Sequence, residues 1–333
     1  CSEHAMPDWI RQTALGDILC LDWSELSDDA LYRNLDILYP RRATIETALS
    51  KNERTLFDLD QTVFFYDLTS TYFEGQAKRN PKAKRGYSRD HRPDCKQVVI
   101  GLVLDRDGFP RAHEIYDGNT QDRTTVKRML DLLDARVGLK PGQLVVVDRG
   151  MAYDENLEQI TSRGLHYLVA ARQPERNRWL ADFDDERDFE PVIREPSPLN
   201  PAQKKTSVKV KLRRDENGTY VLCVSDGRIQ KDRAIREKHE QRFLADLEKL
   251  KTRIERGSLK KEDGIHQAIG RLKERYPRVA RYYAMKYEAS EHRFTYTLDT
   301  ELRERAEKLD GSYILRTDRT DLSADEAWRI YIL

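Results

Sequence analysis

Two aspartates stand where carboxylates are rare. Asp67 lies within Val63-Phe64-Phe65-Tyr66-Asp67-Leu68-Thr69-Ser70-Thr71-Tyr72-Phe73-Glu74, a β-branched and aromatic run with the composition of a strand inside a sheet. Asp148 closes Leu144-Val145-Val146-Val147-Asp148-Arg149-Gly150. An unbroken aliphatic run of this kind marks a strand covered on both faces, typical of pairing after a helical crossover. An ionised Asp buried in such a strand is costly unless a cation or hydrogen bonds compensate it. Taken alone, Asp67 is either paired with a buried Arg or capping a turn, or it is a metal ligand aimed from a sheet into an active site. Asp148 sits at the carboxyl end of its strand, where open α/β sheets place ligands.

The elements that must position these residues follow from periodicity. Residues 1 to about 58 read as helices: Ser27-Asp28-Asp29 ahead of Leu31, Leu35 and Leu38 gives an N-cap and an apolar stripe, and Pro40 ends that helix. A second helix runs from about Arg42 to Phe57. Such a region suits DNA or partner binding, and equally an accessory bundle. After the Asp67 strand, Gln97 to Leu104 reads as a strand, Asp105-Arg106-Asp107-Gly108 as a turn, and Phe109 to Tyr116 as the returning strand. Asp117-Gly118-Asn119 turns again, and Asp122 is expected to cap a helix carrying Val126, Met129, Leu130 and Leu133. Past Asp148, a helix begins at Asp154, and His166 to Ala170 is a fifth strand.

The expected order is β-β-β-α-β-α-β, three antiparallel strands followed by parallel strands with helices. This is the ribonuclease-H-like mixed α/β arrangement. Where strand four lies beside strand one, the two carboxylates face each other and repel unless divalent cations sit between them. Magnesium suits such an all-oxygen site and leaves positions open for phosphate and water.

Between the first two strands, residues 78–96 carry eight basic side chains, Lys78, Arg79, Lys82, Lys84, Arg85, Arg89, Arg92 and Lys96, against Asp90 and Asp94. Gly and Pro forbid regular structure there. The loop suits contacts to a phosphate backbone, with a merely solvated loop as the alternative. Arg149, next to Asp148, suits holding a phosphate or pairing with the carboxylates.

Four motifs taken in order make a resemblance specific. Tyr66-Asp67-Leu68-Thr69-Ser70-Thr71-Tyr72-Phe73-Glu74-Gly75, Gly86-Tyr87-Ser88-Arg89-Asp90-His91-Arg92-Pro93-Asp94, Asp117-Gly118-Asn119-Thr120 and Asp148-Arg149-Gly150-Met151 resemble successive motifs of bacterial insertion-sequence DDE transposases, closest to the "insertion sequence four" superfamily. The resemblance implies DNA transposition by a DDE metal site, with Asp67 bridging two Mg²⁺ ions, Asp148 holding one of them, and Mn²⁺ able to substitute. It implies double-stranded DNA as partner (terminal inverted repeats and target) and a homodimer in the DNA complex. It also implies a third ligand, a Glu seven residues after a Tyr. Tyr331 fits that Tyr, which places the Glu beyond Leu333, and Glu326 is instead the carboxylate of a capping box begun at Ser323.

The expected division is a helical region over 1–58, the first part of the core over 59–171, an insertion over 172–310, and the resumed core over 311–333. Pro174, Pro191, Pro196, Pro198 and Pro201 punctuate the start of the insertion. A basic hairpin around Asn217-Gly218 follows, with Lys204, Lys205, Lys209, Lys211, Arg213 and Arg214. From about Asp232 to Glu288 the chain reads as a charged helix pair broken near Gly257-Ser258, usually a solvated face. In transposases resembling this one, such an insertion contacts DNA ends or a second protomer.

The 333 residues suffice for a substantial core, and 38% apolar against 35% charged residues describe a soluble protein with a highly charged surface. A net charge of +1 conceals local asymmetry. The 4 cysteines form no CxxC pair, which favours a reducing cytosol, and the resemblance implies a bacterial cytoplasm, nucleoid-associated when DNA is bound. No apolar run approaches the roughly 18 residues of a membrane helix. A start at Cys1 and a stop at Leu333 in mid-helix suggest a fragment, expected to be inactive as it stands. Two other readings fit the same residues: a stand-alone nuclease on this fold, and a catalytically inactive DNA-binding remnant.

Overall fold

The computed structural model describes residues 3–57, 63–194 and 206–332. By Cα proximity the chain forms two compact units, one of Cys1–Val145 with Tyr153–Leu165 and one of Val146–Ala152 with His166–Leu333. Pro196, Pro198, Pro201, Lys204 and Lys205 lie outside the described residues.

The first unit begins with helices α1 (Met6–Arg11), α2 (Leu15–Leu19), α3 (Asp28–Leu38) and α4 (Arg42–Phe57). Ser27 caps α3 by accepting from the Ala30 amide, as the sequence pattern requires. Strands β1 (Val63–Tyr72), β2 (Gln97–Asp105) and β3 (Pro110–Asp117) form the expected antiparallel meander, with Asp67 opposite Leu102. Helix α5 (Val126–Val137) buries Val126, Met129, Leu130 and Leu133. Its start differs from expectation: Asp122 opens a 3-10 turn, and Thr125 occupies the N-cap. Strand β4 (Leu144–Val147) begins in this unit and is hydrogen-bonded beside β1, giving the order β3-β2-β1-β4. Helix α6 (Asp154–Thr161) completes the unit.

The second unit holds β5 (His166–Ala170), α7 (Leu180–Asp184), β6 (Glu190–Arg194), β7 (Thr206–Asp215), β8 (Gly218–Ser225), α8 (Asp226–Glu255), α9 (Glu262–Arg275), α10 (Pro277–Ala280), β9 (Tyr283–Glu288), β10 (Arg293–Leu298), α11 (Thr300–Lys308), β11 (Ser312–Thr317) and α12 (Ala324–Tyr331). Its main strands run β5-β11-β8-β7-β6, so the hairpin of the insertion is continuous with the strand that follows it, through antiparallel pairing of β8 with β11. The element order is thus the mixed α/β architecture expected. One expectation fails: the helical reading to about Glu288 overruns, because Tyr283–Glu288 is a strand, β9, paired with β10. Tyr283, Tyr287, Phe294 and Tyr296 make β9 and β10 an aromatic hairpin that packs on Phe243, Leu247, Ile254 and Ile265 of the two long helices. Pro277 cannot continue α9 and instead opens the single turn of α10, and the aromatic residues beyond favour a pleated surface. At the far end, the capping box forms as read: Ser323 Oγ accepts from the Glu326 amide at 3.2 Å, and Glu326 Oε2 accepts from the Ser323 amide at 2.9 Å. Trp328, buried, donates to Tyr313 Oη at 2.7 Å and pins α12 to β11.

Two glycines of the resembling motifs clasp the basic loop to the end of the meander. A Cβ on Gly118 would lie 1.9 Å from the Gln97 carbonyl oxygen and 2.5 Å from that of Lys84, and a Cβ on Gly86 would lie 2.1 Å from the Gly118 oxygen. The same backbones are joined by hydrogen bonds: Lys84 N to Gln97 O at 3.1 Å, Gly118 N to Lys82 O at 2.9 Å, and Gln97 Nε2 to both Gly118 O at 2.8 Å and Tyr87 O at 2.9 Å. Only backbone without a side chain approaches so closely. Gly118→Ala is expected to destabilise the protein by about 1–3 kcal/mol through overpacking. Gly227→Ala, on a helix with nothing within 4 Å, is expected to leave stability equal or higher. Thermal melts of the two variants check the contrast.

Candidate active site

The β1 side chains alternate in burial: Tyr66 and Leu68 point into the core, while Asp67 between them is exposed. This corrects the premise of a buried Asp67 and removes the desolvation cost attached to it. Its Oδ1 accepts from the Leu68 amide at 2.7 Å, and among the described residues it enters no ion pair. Asp148 is also exposed, at the N-cap of the 3-10 turn Arg149–Met151, and its side chain accepts no capping hydrogen bond. Both carboxylates therefore keep oxygens available for a ligand.

The buried Asp–Arg pair entertained for Asp67 exists elsewhere. Asp105 and Arg111 are fully buried, with Arg111 Nε donating to Asp105 Oδ2 at 2.7 Å. The other Asp105 oxygen accepts from the amides of Asp107 at 3.0 Å and Phe109 at 2.9 Å, which shapes the β2–β3 turn. Two acidic residues of one unit thus divide between structural pairing and exposure without a partner.

The loop cations divide similarly. Lys82 is half-buried, donates to the Ile115 carbonyl and lies 3.7 Å from Glu114 Oε1. Arg92 pairs with Asp94 at 3.0 Å and Glu74 at 3.1 Å and covers the Tyr72 ring. Arg89 reaches Asp122 at 3.4 Å. Lys78, Arg79, Lys84 and Arg85 are exposed, Lys96 is half-buried, and among the described residues none of these five side chains enters an ion pair. Arg149 is half-buried, its Nε is enclosed without a hydrogen-bond partner, and it forms no ion pair among the described residues. In the insertion hairpin, Lys211 is fully buried and donates to the carbonyls of Asp182 and Asp185, and Arg213 pairs with Asp182 at 2.6 Å, so these two cations are structural.

Among the described residues no three His, Cys, Asp or Glu side chains gather in a way that could hold a metal ion. The donors the motifs nominate, Asp67 and Asp148, are hard carboxylate oxygens. Magnesium is commonly held by one or two carboxylates, with water and substrate phosphates completing its shell, and their chemistry fits it.

Residues 58–331 match the family described as transposase DDE domain. The chain belongs to this family. Asp67 lies within β1, and Asp148 directly follows β4. Among solved structures, the chain is similar to a piggyBac transposase synaptic complex with hairpin DNA (12% identity, TM-score 0.31, 64% of this chain and 45% of that one). It is also similar to a Mos1 transposase paired-end complex with the left transposon end (12% identity, TM-score 0.24, 50% of this chain and 56% of that one). The chain thus spans about half the length of these structures. No curated protein matches it. Among the described residues, no helix is long and apolar enough to cross a membrane.

What seats the loop against β3 is Glu114, which is buried. Arg128 at 3.3 Å, Arg42 at 3.5 Å and Lys82 at 3.7 Å converge on its carboxylate from α5, α4 and the loop. Burial pushes the carboxyl up, but Arg128, the Ile115 amide, Arg42 and Lys82 outweigh it and hold the group below its ordinary value. Its contribution to stability is therefore full above the unfolded value of 4.5 and is lost as pH falls through the lower folded value. Glu114→Gln is expected to cost about 2–3 kcal/mol at neutral pH, less than the roughly 3–5 of a fully enclosed pair because the cations reach solvent. It should also flatten the loss of stability below pH 4.5. Denaturation midpoints measured from pH 7 to pH 3 check both effects.

Proposed function

We propose that this transposase domain cleaves transposon-end DNA and joins strands by metal-dependent phosphoryl transfer, with Asp67 and Asp148 as two of its acidic metal ligands. The observation that carries the reading is the state of these two carboxylates. Both motif residues are exposed and enter no ion pair among the described residues, whereas Asp105 and Glu114 are buried and neutralised. A structural role for Asp67 would leave it paired, as Asp105 is.

Magnesium is the cation that the donor set suits best, and Asp67 and Asp148 would hold it. When bound, divalent cations would activate a water or a DNA 3′-hydroxyl for in-line attack and stabilise the leaving oxygen. The protein's own residues do the rest. Arg149, with an unpaired guanidinium next to Asp148, would hold a phosphate oxygen of the scissile region. Lys78, Arg79, Lys84, Arg85 and Lys96 would contact the DNA backbone, in a loop held in register by the Gly118 clasp. Lys82, Arg89 and Arg92, expected from sequence as further DNA contacts, would act mainly by shaping that loop, since each already has a carboxylate partner. Double-stranded transposon ends and target DNA are the proposed substrates, with a homodimer bringing two ends together.

Asp67→Asn and Asp148→Asn in the whole gene product are each expected to lower metal-dependent cleavage of transposon-end DNA by at least about a hundredfold, while leaving DNA affinity near wild type. Normal cleavage by either variant would remove that residue from the site. Cleavage without strand joining in the wild-type protein would instead favour the stand-alone nuclease.

A further inference from the structure

A cavity of about 570 Å³ opens within the second unit, between the turn Gln173–Trp179 and helices α8, α10 and α11. Five arginines line it, Arg176, Arg236, Arg278, Arg281 and Arg305, and no lysine does. Asp232 and Asp310 are the acidic residues of the lining, so the five arginines leave an excess of three positive charges with His239 neutral. No sequence motif marks this site, because its residues are scattered over 173–310.

The arginines have distinct states. Arg236 is only 9% exposed and is fixed by Asp310 at 2.6 Å and Glu307 at 3.5 Å, yet its Nε and the second Asp310 oxygen are enclosed without hydrogen-bond partners. Arg176 is anchored by donating to the carbonyls of Ser312 at 2.9 Å and Leu309 at 3.2 Å. Burial holds its pKa down, and Arg149 and Arg281 push the same way. Arg281 lies over the Tyr282 ring and donates to its hydroxyl at 2.9 Å. Arg278 and Arg305 are exposed at the rim and enter no ion pair among the described residues.

Like charges crowded around a concave, half-enclosed space repel unless an anion joins them. Guanidinium groups, rather than ammonium groups, match the oxygens of phosphate in paired hydrogen bonds. The volume lies within the roughly 300–1,000 Å³ range of small-molecule sites and exceeds what a single phosphate fills. We propose that this cavity binds a chain of two or more phosphate groups, either consecutive backbone phosphates of nucleic acid or a free polyphosphate. If the ligand is nucleic acid, that assignment rests on the transposase reading.

The test is calorimetric titration of the full chain with tripolyphosphate at low salt. Wild type is expected to bind saturably. Arg278→Ala with Arg305→Ala, a pair chosen at the exposed rim so that folding survives, is expected to bind at least about tenfold more weakly. Arg271→Ala with Lys273→Ala, exposed on α9 and outside the cavity lining, is expected to bind as wild type, and circular dichroism confirms folding of both. Equal binding by the rim variant, an equal loss in the α9 variant, or no saturable binding by wild type would overturn the proposal. Displacement of tripolyphosphate by a short DNA duplex or single strand assigns the site to backbone phosphates, and failure to displace it assigns the site to free polyphosphate. The titration involves no cleavage, so its failure leaves the transposase reading standing. Normal cleavage by Asp67→Asn likewise leaves the cavity standing.

Discussion

A single buried carboxylate organises the first unit. Glu114 cannot stay ionised inside the fold without compensation, and that requirement draws Arg42 from α4, Arg128 from α5 and Lys82 from the basic loop to one point on β3. Helix, loop and sheet are thereby tied together. The Gly86–Gly118–Gln97 clasp then sets the loop's register against the end of the meander, by backbone approach that no side chain would permit. With the loop anchored at Lys82 and at the clasp, the cations between and beyond those anchors project to solvent.

The chain's charges sort by this logic more sharply than their numbers suggest. With 35% of residues charged and a net charge of +1, most charges can find partners, and those left over become informative. Lys82, Arg92, Lys211 and Arg213 are consumed by structure, whereas Lys78, Arg79, Lys84, Arg85 and the rim arginines of the second unit are not. The acidic residues divide in the same way, with Asp105 and Glu114 enclosed and Asp67 and Asp148 outward. Surface ion pairs add little stability, so the free charges are better read as binding capacity than as missing bonds.

Much of this was legible in the sequence, for identifiable reasons. The meander, α5, β4 and the capping box at Ser323 carry strong local signals, alternation, helical spacing and cap chemistry, that tertiary packing reinforces. The motif residues Asp67 and Asp148 stood out because a carboxylate in an apolar run is unusual. What misled was taking Asp67 as buried within its strand: β1 has one wet face, and Asp67 is on it. The aromatic hairpin at 283–298 was missed because its charged residues blend into the preceding helices, and its tyrosines show their purpose only against Phe243 and Leu247. The structural roles of Lys82 and Lys211 depend on carbonyls distant in sequence, which no spacing rule reveals. The arginine cavity is illegible for the same reason, its members being separated by more than a hundred residues.

The central proposal is that Asp67 and Asp148 are metal ligands. Iron(II) in place of magnesium, with ascorbate and peroxide, generates hydroxyl radicals that cut the protein backbone only near the bound metal. Mapping the cuts therefore locates the site without requiring catalysis. The account expects fragments ending beside residues 67 and 148 together, both suppressed by excess magnesium and both lost in Asp67→Asn. Cuts at neither position, or a pattern unchanged in Asp67→Asn, would contradict it.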